Sequence, residues 1–114
     1  MSLTINTREI TDVVAVDLAG KLTLGDATGQ LRDTIRKLVE EDHKKILLNL
    51  KELEYMDSAG LGELVGAYTT LKNAGGVLKM LNVQGRALDL MQITKLMTLF
   101  EFFDDEATAV KSFS

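Results

Sequence analysis

The sequence predicts an α/β layer fold, and three observations carry the prediction. Apolar residues alternate at period two near the N-terminus. A later run, "KILLNL", is too short for a helix and too apolar for a half-exposed strand. Stretches of helical spacing separate the strand-like segments, an alternation that favours parallel strands with helices packed against them.

Leu3 and Ile5 alternate with Thr4 and Asn6, which marks a first strand over residues 3–9. After a polar break, Val14, Val16 and Leu18 alternate with Val13, Ala15 and Asp17, a second strand over 12–19. Between residues 26 and 42 the apolar positions become Ala27, Leu31, Ile35, Leu38 and Val39, helical spacing behind an acidic start. "KILLNL" over 45–50 reads as a strand covered on both faces, so helices are expected above and below it. A second helix opens near Ser58 and lines up Leu61, Leu64, Val65, Tyr68 and Leu71. Asn73, Gly75 and Gly76 end it, since glycine just past a helix accepts the left-handed turn there. "VLKML" over 77–81 is another strand, Ala87 to about Met97 another helix, 99–102 a last strand, and Asp104 to Phe113 a closing helix. There is no internal repeat, low-complexity tract or linker, and proline is absent, so glycine supplies the punctuation.

A length of 114 residues sets one domain, residues 1–114, as the expectation. Apolar residues make up 46% and charged residues 26%, the balance of a globular chain. The formal charge is -4 and the basic residues are scattered, so no footprint for nucleic acid is visible. Without cysteine, disulfides and thiolate metal sites are excluded. Met1 to Arg8 lacks the unbroken apolar core of a signal peptide, and no apolar run reaches the length of about 20 residues that a membrane helix needs. These features together lead us to expect a soluble, cytoplasmic protein that binds no membrane.

The functional signal sits in "YMDSAGLGELVGAY", residues 55–68, where Asp57, Ser58, Gly60 and Gly62 crowd a helix start. Glycine costs a helix interior roughly 1 kcal/mol against alanine, so helix stability does not explain the cluster. Enzyme chemistry finds no complete motif. Ser58 lacks the glycine two positions before it that a nucleophile elbow carries, and His43, the one histidine, sits at a helix end in "EEDHKK". Gly60, Gly62 and Gly66 match neither the Walker loop nor the dinucleotide fingerprint. Asp104, Asp105 and Glu106 read as a negative first turn and not as metal ligands.

Opposite the apolar stripe of the second helix lie Ala59, Gly62, Gly66, Thr69 and Thr70, with Glu63 beside them, a nearly smooth flank on which a partner's backbone could come close. The alternative is that the glycines let the helix pack tightly on its own sheet. Ser58 also has two readings. Its hydroxyl is a candidate N-cap worth about 1 kcal/mol, a role open equally to Asp57. Or it is a modification site, where a phosphate would bring about -1.5 to -2 charges to the positive end of the helix.

"MDSAGLGELV" from Met56, set in "VVAVDLAGKL", "KKILLNLKELEYMDSAGLG", "AGGVLKMLNV" and "FEFFDDEATAVKSF", resembles the STAS domains, specifically the single-domain bacterial anti-sigma factor antagonists. The resemblance covers nearly the whole chain. It implies a mixed, mostly parallel sheet flanked by about four helices. It also implies a partner-switching regulator that is not an enzyme and carries no cofactor. In that scheme the unphosphorylated protein captures an anti-sigma factor that is itself a serine kinase, and the kinase, which binds the ATP, phosphorylates Ser58. A metal-dependent serine phosphatase resets the switch. The surface implied for the partner comprises Asp57, Ser58, Ala59, Gly60, Gly62, Glu63, Gly66 and Thr70. Many relatives carry an aspartate in the loop facing the serine; here Thr23 follows Leu22, and Asp26 comes after a one-residue insertion, so both join the partner-facing candidates. Two alternatives stand beside this reading: a STAS scaffold subunit of a larger signalling or transport assembly, and a small-ligand or lipid carrier.

Overall fold

In the computed structural model, which describes residues 2–114, the chain opens with a β-hairpin. Strand β1 (Leu3–Ile10) pairs antiparallel with β2 (Val13–Leu22), and Thr11 takes the positive φ of 56° that so tight a turn demands. Helix α1 (Asp26–Glu40), strand β3 (Lys45–Met56), helix α2 (Ser58–Asn73), strand β4 (Val77–Leu81) and helix α3 (Gly85–Ile93) follow in alternation. A 3-10 turn at Leu96–Thr98, strand β5 (Phe102–Phe103) and helix α4 (Glu106–Lys111) complete the order. The sheet reads β1-β2-β3-β4-β5 without a break, and every pairing after the hairpin is parallel.

That unbroken order decides where the helices go. Successive crossovers of one hand, all stepping the same way, land on the same face of a sheet. One core accordingly joins Leu31 and Ile35 of α1, Leu61, Leu64 and Leu71 of α2, and Ala87 and Met91 of α3 to the sheet residues Val14, Val16, Ile46 and Leu48. Helix α4 covers the other face, where Ala109 packs with Val13, Leu47 and Leu81. Neighbours Leu47 and Leu48 are therefore both fully buried on opposite faces, as the apolar run at 45–50 predicts.

Charges fasten α4. Arg8 on β1 reaches Asp17 at 2.6 Å and Glu106 at 2.7 Å, and the two carboxylates hold its guanidinium well above the ordinary arginine range. Buried Lys79 donates to the Ser112 carbonyl at 3.0 Å and to its hydroxyl at 2.9 Å, with its ammonium 4.8 Å from the centre of the Phe113 ring. A cation at the carbonyl end of a helix is attracted to the negative end of its dipole.

Element ends differ from the sequence reading in instructive ways. Strand β2 continues to Leu22 and β3 to Met56, beyond the expected ends at 19 and 50. Register shifts between Asp17 and Ala19 and between Gly20 and Lys21 break the period-two signal that would have extended them. The expected strand at 99–102 is instead the two-residue β5. Phe100 lies outside the strand: it turns into the core and meets Tyr68 edge-on at 5.5 Å. The third helix ends at Ile93 and not near Met97, because Lys95 adopts a left-handed φ of 62°. The closing helix starts only at Glu106, since the Asp105 carboxylate caps it by accepting the Thr108 N–H at 2.9 Å.

Candidate functional site

The C-terminal ends of β2 and β3 run side by side to Leu22 and Met56, so the two loops that follow them meet. Asp57 is the joint. One carboxylate oxygen, Oδ1, accepts the Gly60 N–H at 2.8 Å and caps α2; the other, Oδ2, accepts the Leu24 N–H at 3.0 Å from the loop after β2. The Asp57 N–H in turn donates to the Leu22 carbonyl at 3.3 Å. Two N–H donors favour the ionised form, so the Gly60 bond first and the Leu24 bond second hold this carboxyl below the usual aspartate range.

Since Asp57 caps the helix, Ser58 does not. It is the first helical residue, exposed at the positive end of α2. The choice between the two capping candidates thus falls to Asp57, and no capping duty competes with chemistry at the Ser58 hydroxyl. Ala59 beside it is half-buried.

The glycines divide into two kinds. Gly60 is buried, and a Cβ there would overlap the Leu22 carbonyl oxygen and press on the Leu22 and Met56 side chains at 2.9 Å. It is glycine because α2 crosses the strand ends at contact distance. Gly62 has nothing within 4 Å of where a Cβ would stand, and Gly66 meets only the tip of Glu63 at 3.9 Å. Packing explains Gly60 and leaves Gly62 and Gly66 unexplained. Both are exposed, with Thr70 half-buried further along.

Glu63 does not stand free on that flank. Arg32 of α1 grips its carboxylate through Nη2 at 2.6 Å and Nε at 3.3 Å, a two-pronged bridge between the helices that the sequence did not reveal. Gly66, Thr70 and this pair line a groove of about 180 Å³ between α1 and α2.

Thr23 is half-buried, and Asp26 is the exposed first residue of α1. Leu24 between them is 78% exposed. The loop is tied at both ends, by Asp57 at Leu24 and by Thr28, whose hydroxyl accepts the Gly25 N–H at 3.3 Å and donates to the Gly25 carbonyl at 2.9 Å. Sequence reasoning picked Thr23 and Asp26 and passed over Leu24, because one leucine in a loop gives no periodic signal.

His43 precedes β3, so it stands at the opposite end of a twelve-residue strand from Ser58 and cannot serve it as a base. Among the described residues, no group of three or more His, Asp or Glu is placed to hold a metal ion. Nor is any described helix long and apolar enough to cross a membrane.

Over 101 residues the chain is 31% identical to the anti-sigma-B factor antagonist of Bacillus subtilis (strain 168), covering 89% of this chain and 91% of that protein. Over 115 residues it is 28% identical to the anti-sigma F factor antagonist of Paenibacillus polymyxa, covering 96% and 94%. The crystal structure of an anti-sigma factor antagonist from Mycobacterium paratuberculosis superposes with a TM-score of 0.82 over 97% of this chain and 93% of that one; at 19% identity it speaks to the fold alone. The model of the STAS domain matches residues 4–109. Running from the first strand into the last helix, that match shows that this chain belongs to the STAS domain family.

Proposed function

We propose that the protein is an anti-sigma factor antagonist, a regulator that acts by binding and not by catalysis. Its unphosphorylated form captures an anti-sigma factor that is a serine kinase, and phosphorylation of Ser58 ends the capture. The observation that carries this reading is the division of labour at the start of α2. Asp57 supplies the cap, and Ser58 is left exposed with its hydroxyl at the positive end of a sixteen-residue helix. The relatives named as anti-sigma factor antagonists support the choice of partner.

A phosphate on Ser58 would put a dianion beside the Asp57 carboxylate, where the α2 dipole offsets part of the repulsion. The fold does not need to open for this. The charge and bulk would stand in the space that a docking partner must fill, next to the smooth flank of Gly62 and Gly66. ATP belongs to the kinase in this scheme, and a metal-dependent serine phosphatase restores the binding form. Thr23 on the neighbouring loop and Asp26 at the start of α1 face the same partner.

The test is phosphotransfer in vitro. The protein is incubated with ATP and the anti-sigma factor kinase of its own host, and the product is mapped by mass spectrometry. One phosphate on Ser58, absent from Ser58→Ala, is the expected result. Phosphate elsewhere, or none with an active kinase, overturns the reading.

A further inference from the structure

We propose that Leu24 is the apolar anchor of the partner interface, the side chain that inserts into a recess on the anti-sigma factor. The inference rests on the reading of the chain as an antagonist and adds to it a residue and a chemistry.

Three observations converge on it. First, Leu24 is 78% exposed while Leu22, two residues earlier, is fully buried, so the chain turns a large apolar side chain outward. Second, its backbone is held. The Asp57 carboxylate takes its N–H at 3.0 Å, and Thr28 closes on Gly25 from the other side. A side chain on a fixed backbone loses less conformational freedom on binding than one on a loose loop, so more of its apolar burial appears as affinity. Third, its place is set by the site. The carboxylate that holds Leu24 belongs to the residue before Ser58, and its other oxygen fixes the first turn of α2. Leu24 and the Ser58 hydroxyl therefore share one rigid rim.

The shapes are complementary in kind. Gly62 and Gly66 offer a partner a smooth bed, with no side chain to insert. Leu24 is the protrusion that such a bed lacks. A leucine side chain makes no hydrogen bond, so the recess that receives it is lined by apolar side chains, and it lies beside the position where the kinase holds Ser58. The loop thus reads its partner through apolar contact.

Calorimetric titration of the host's anti-sigma factor kinase with wild type, Leu24→Ala, Leu24→Met and Ile93→Ala tests this. Ile93 is 72% exposed at the C-terminal end of α3, the end away from Gly85, and controls for the loss of any exposed apolar side chain. The expected result is a loss of affinity of at least tenfold for Leu24→Ala, or about 1.4 kcal/mol. Leu24→Met should stay within about threefold of wild type, Ile93→Ala should be unchanged, and all four should melt alike. Equal binding by Leu24→Ala and wild type overturns the anchor and leaves the antagonist reading standing. A kinase that fails to bind even wild type overturns both.

Discussion

Gly60 lies so close to the Leu22 carbonyl that no side chain fits between them. Helix α2 approaches the ends of β2 and β3 at that point, and the approach sets the position of Asp57 and Ser58. Gly60→Ala should therefore destabilise the fold by about 1–3 kcal/mol, the usual cost of overpacking. Gly62→Ala, two residues on and in open space, should instead stabilise by about 0.5–1 kcal/mol through lost backbone freedom in the unfolded chain. Urea unfolding of both variants checks the opposite signs, and a shared sign would refute the division of the glycines.

Acid should loosen the Asp57 joint. Its carboxyl is held below the usual range, so folding favours the ionised form. That stabilisation is complete above the unfolded value of about 3.9 and is lost as pH falls through the lower folded-state value. Asp57→Asn keeps one acceptor oxygen and gives up the other. It should be less stable than wild type by about 0.5–2 kcal/mol near neutrality, with the gap closing below about pH 4. Melting curves from pH 3 to 7 would show the convergence, and a gap constant across that range would count against it.

Ser58 variants should separate stability from binding. Because Asp57 is the cap, Ser58→Ala should change stability by less than about 0.5 kcal/mol, the range of exposed substitutions. It should also lose phosphorylation and keep partner binding. Ser58→Asp gains from the helix dipole, typically 0.3–1 kcal/mol, and loses part of that gain to the neighbouring Asp57 charge. Its affinity for the kinase should nevertheless fall sharply. Melting temperature and kinase affinity measured on both variants decide the matter, and wild-type affinity in Ser58→Asp would sink the switch.

Gly66→Leu probes the flank. The position is open apart from Glu63, so the added side chain should leave the domain folded. It would fill part of the groove between α1 and α2 and should weaken kinase binding at least tenfold. Unchanged affinity in a correctly folded variant would move the interface off this face.

What the sequence revealed and what it hid divide along physical lines. Periodicity located the buried strand at Lys45 and the apolar stripe of α2, because one-dimensional spacing is what a face of an element imposes. The far end of β3, "KELEYM", escaped because a bulge and charged residues erase the alternation there. Asp57 and Ser58 are both good capping residues, and only the geometry shows which one bonds to Gly60. The Arg32 grip on Glu63 spans 31 residues and the Asp57 bond to Leu24 spans 33, so both depend on how helices and loops meet in space.

The unbroken strand order has a consequence for how the molecule is made. Each strand added to the sheet pairs with the one completed just before it, and α2 and α3 each pack beside the helix before them, so the native contacts of the first half do not wait for the second. A chain of this kind can assemble in the direction of synthesis, closing one crossover at a time. The clasp of Arg8 on Glu106 stands apart, since its partners are 98 residues distant. It can close only when the last helix arrives, which makes α4 the seal on a sheet that has already formed.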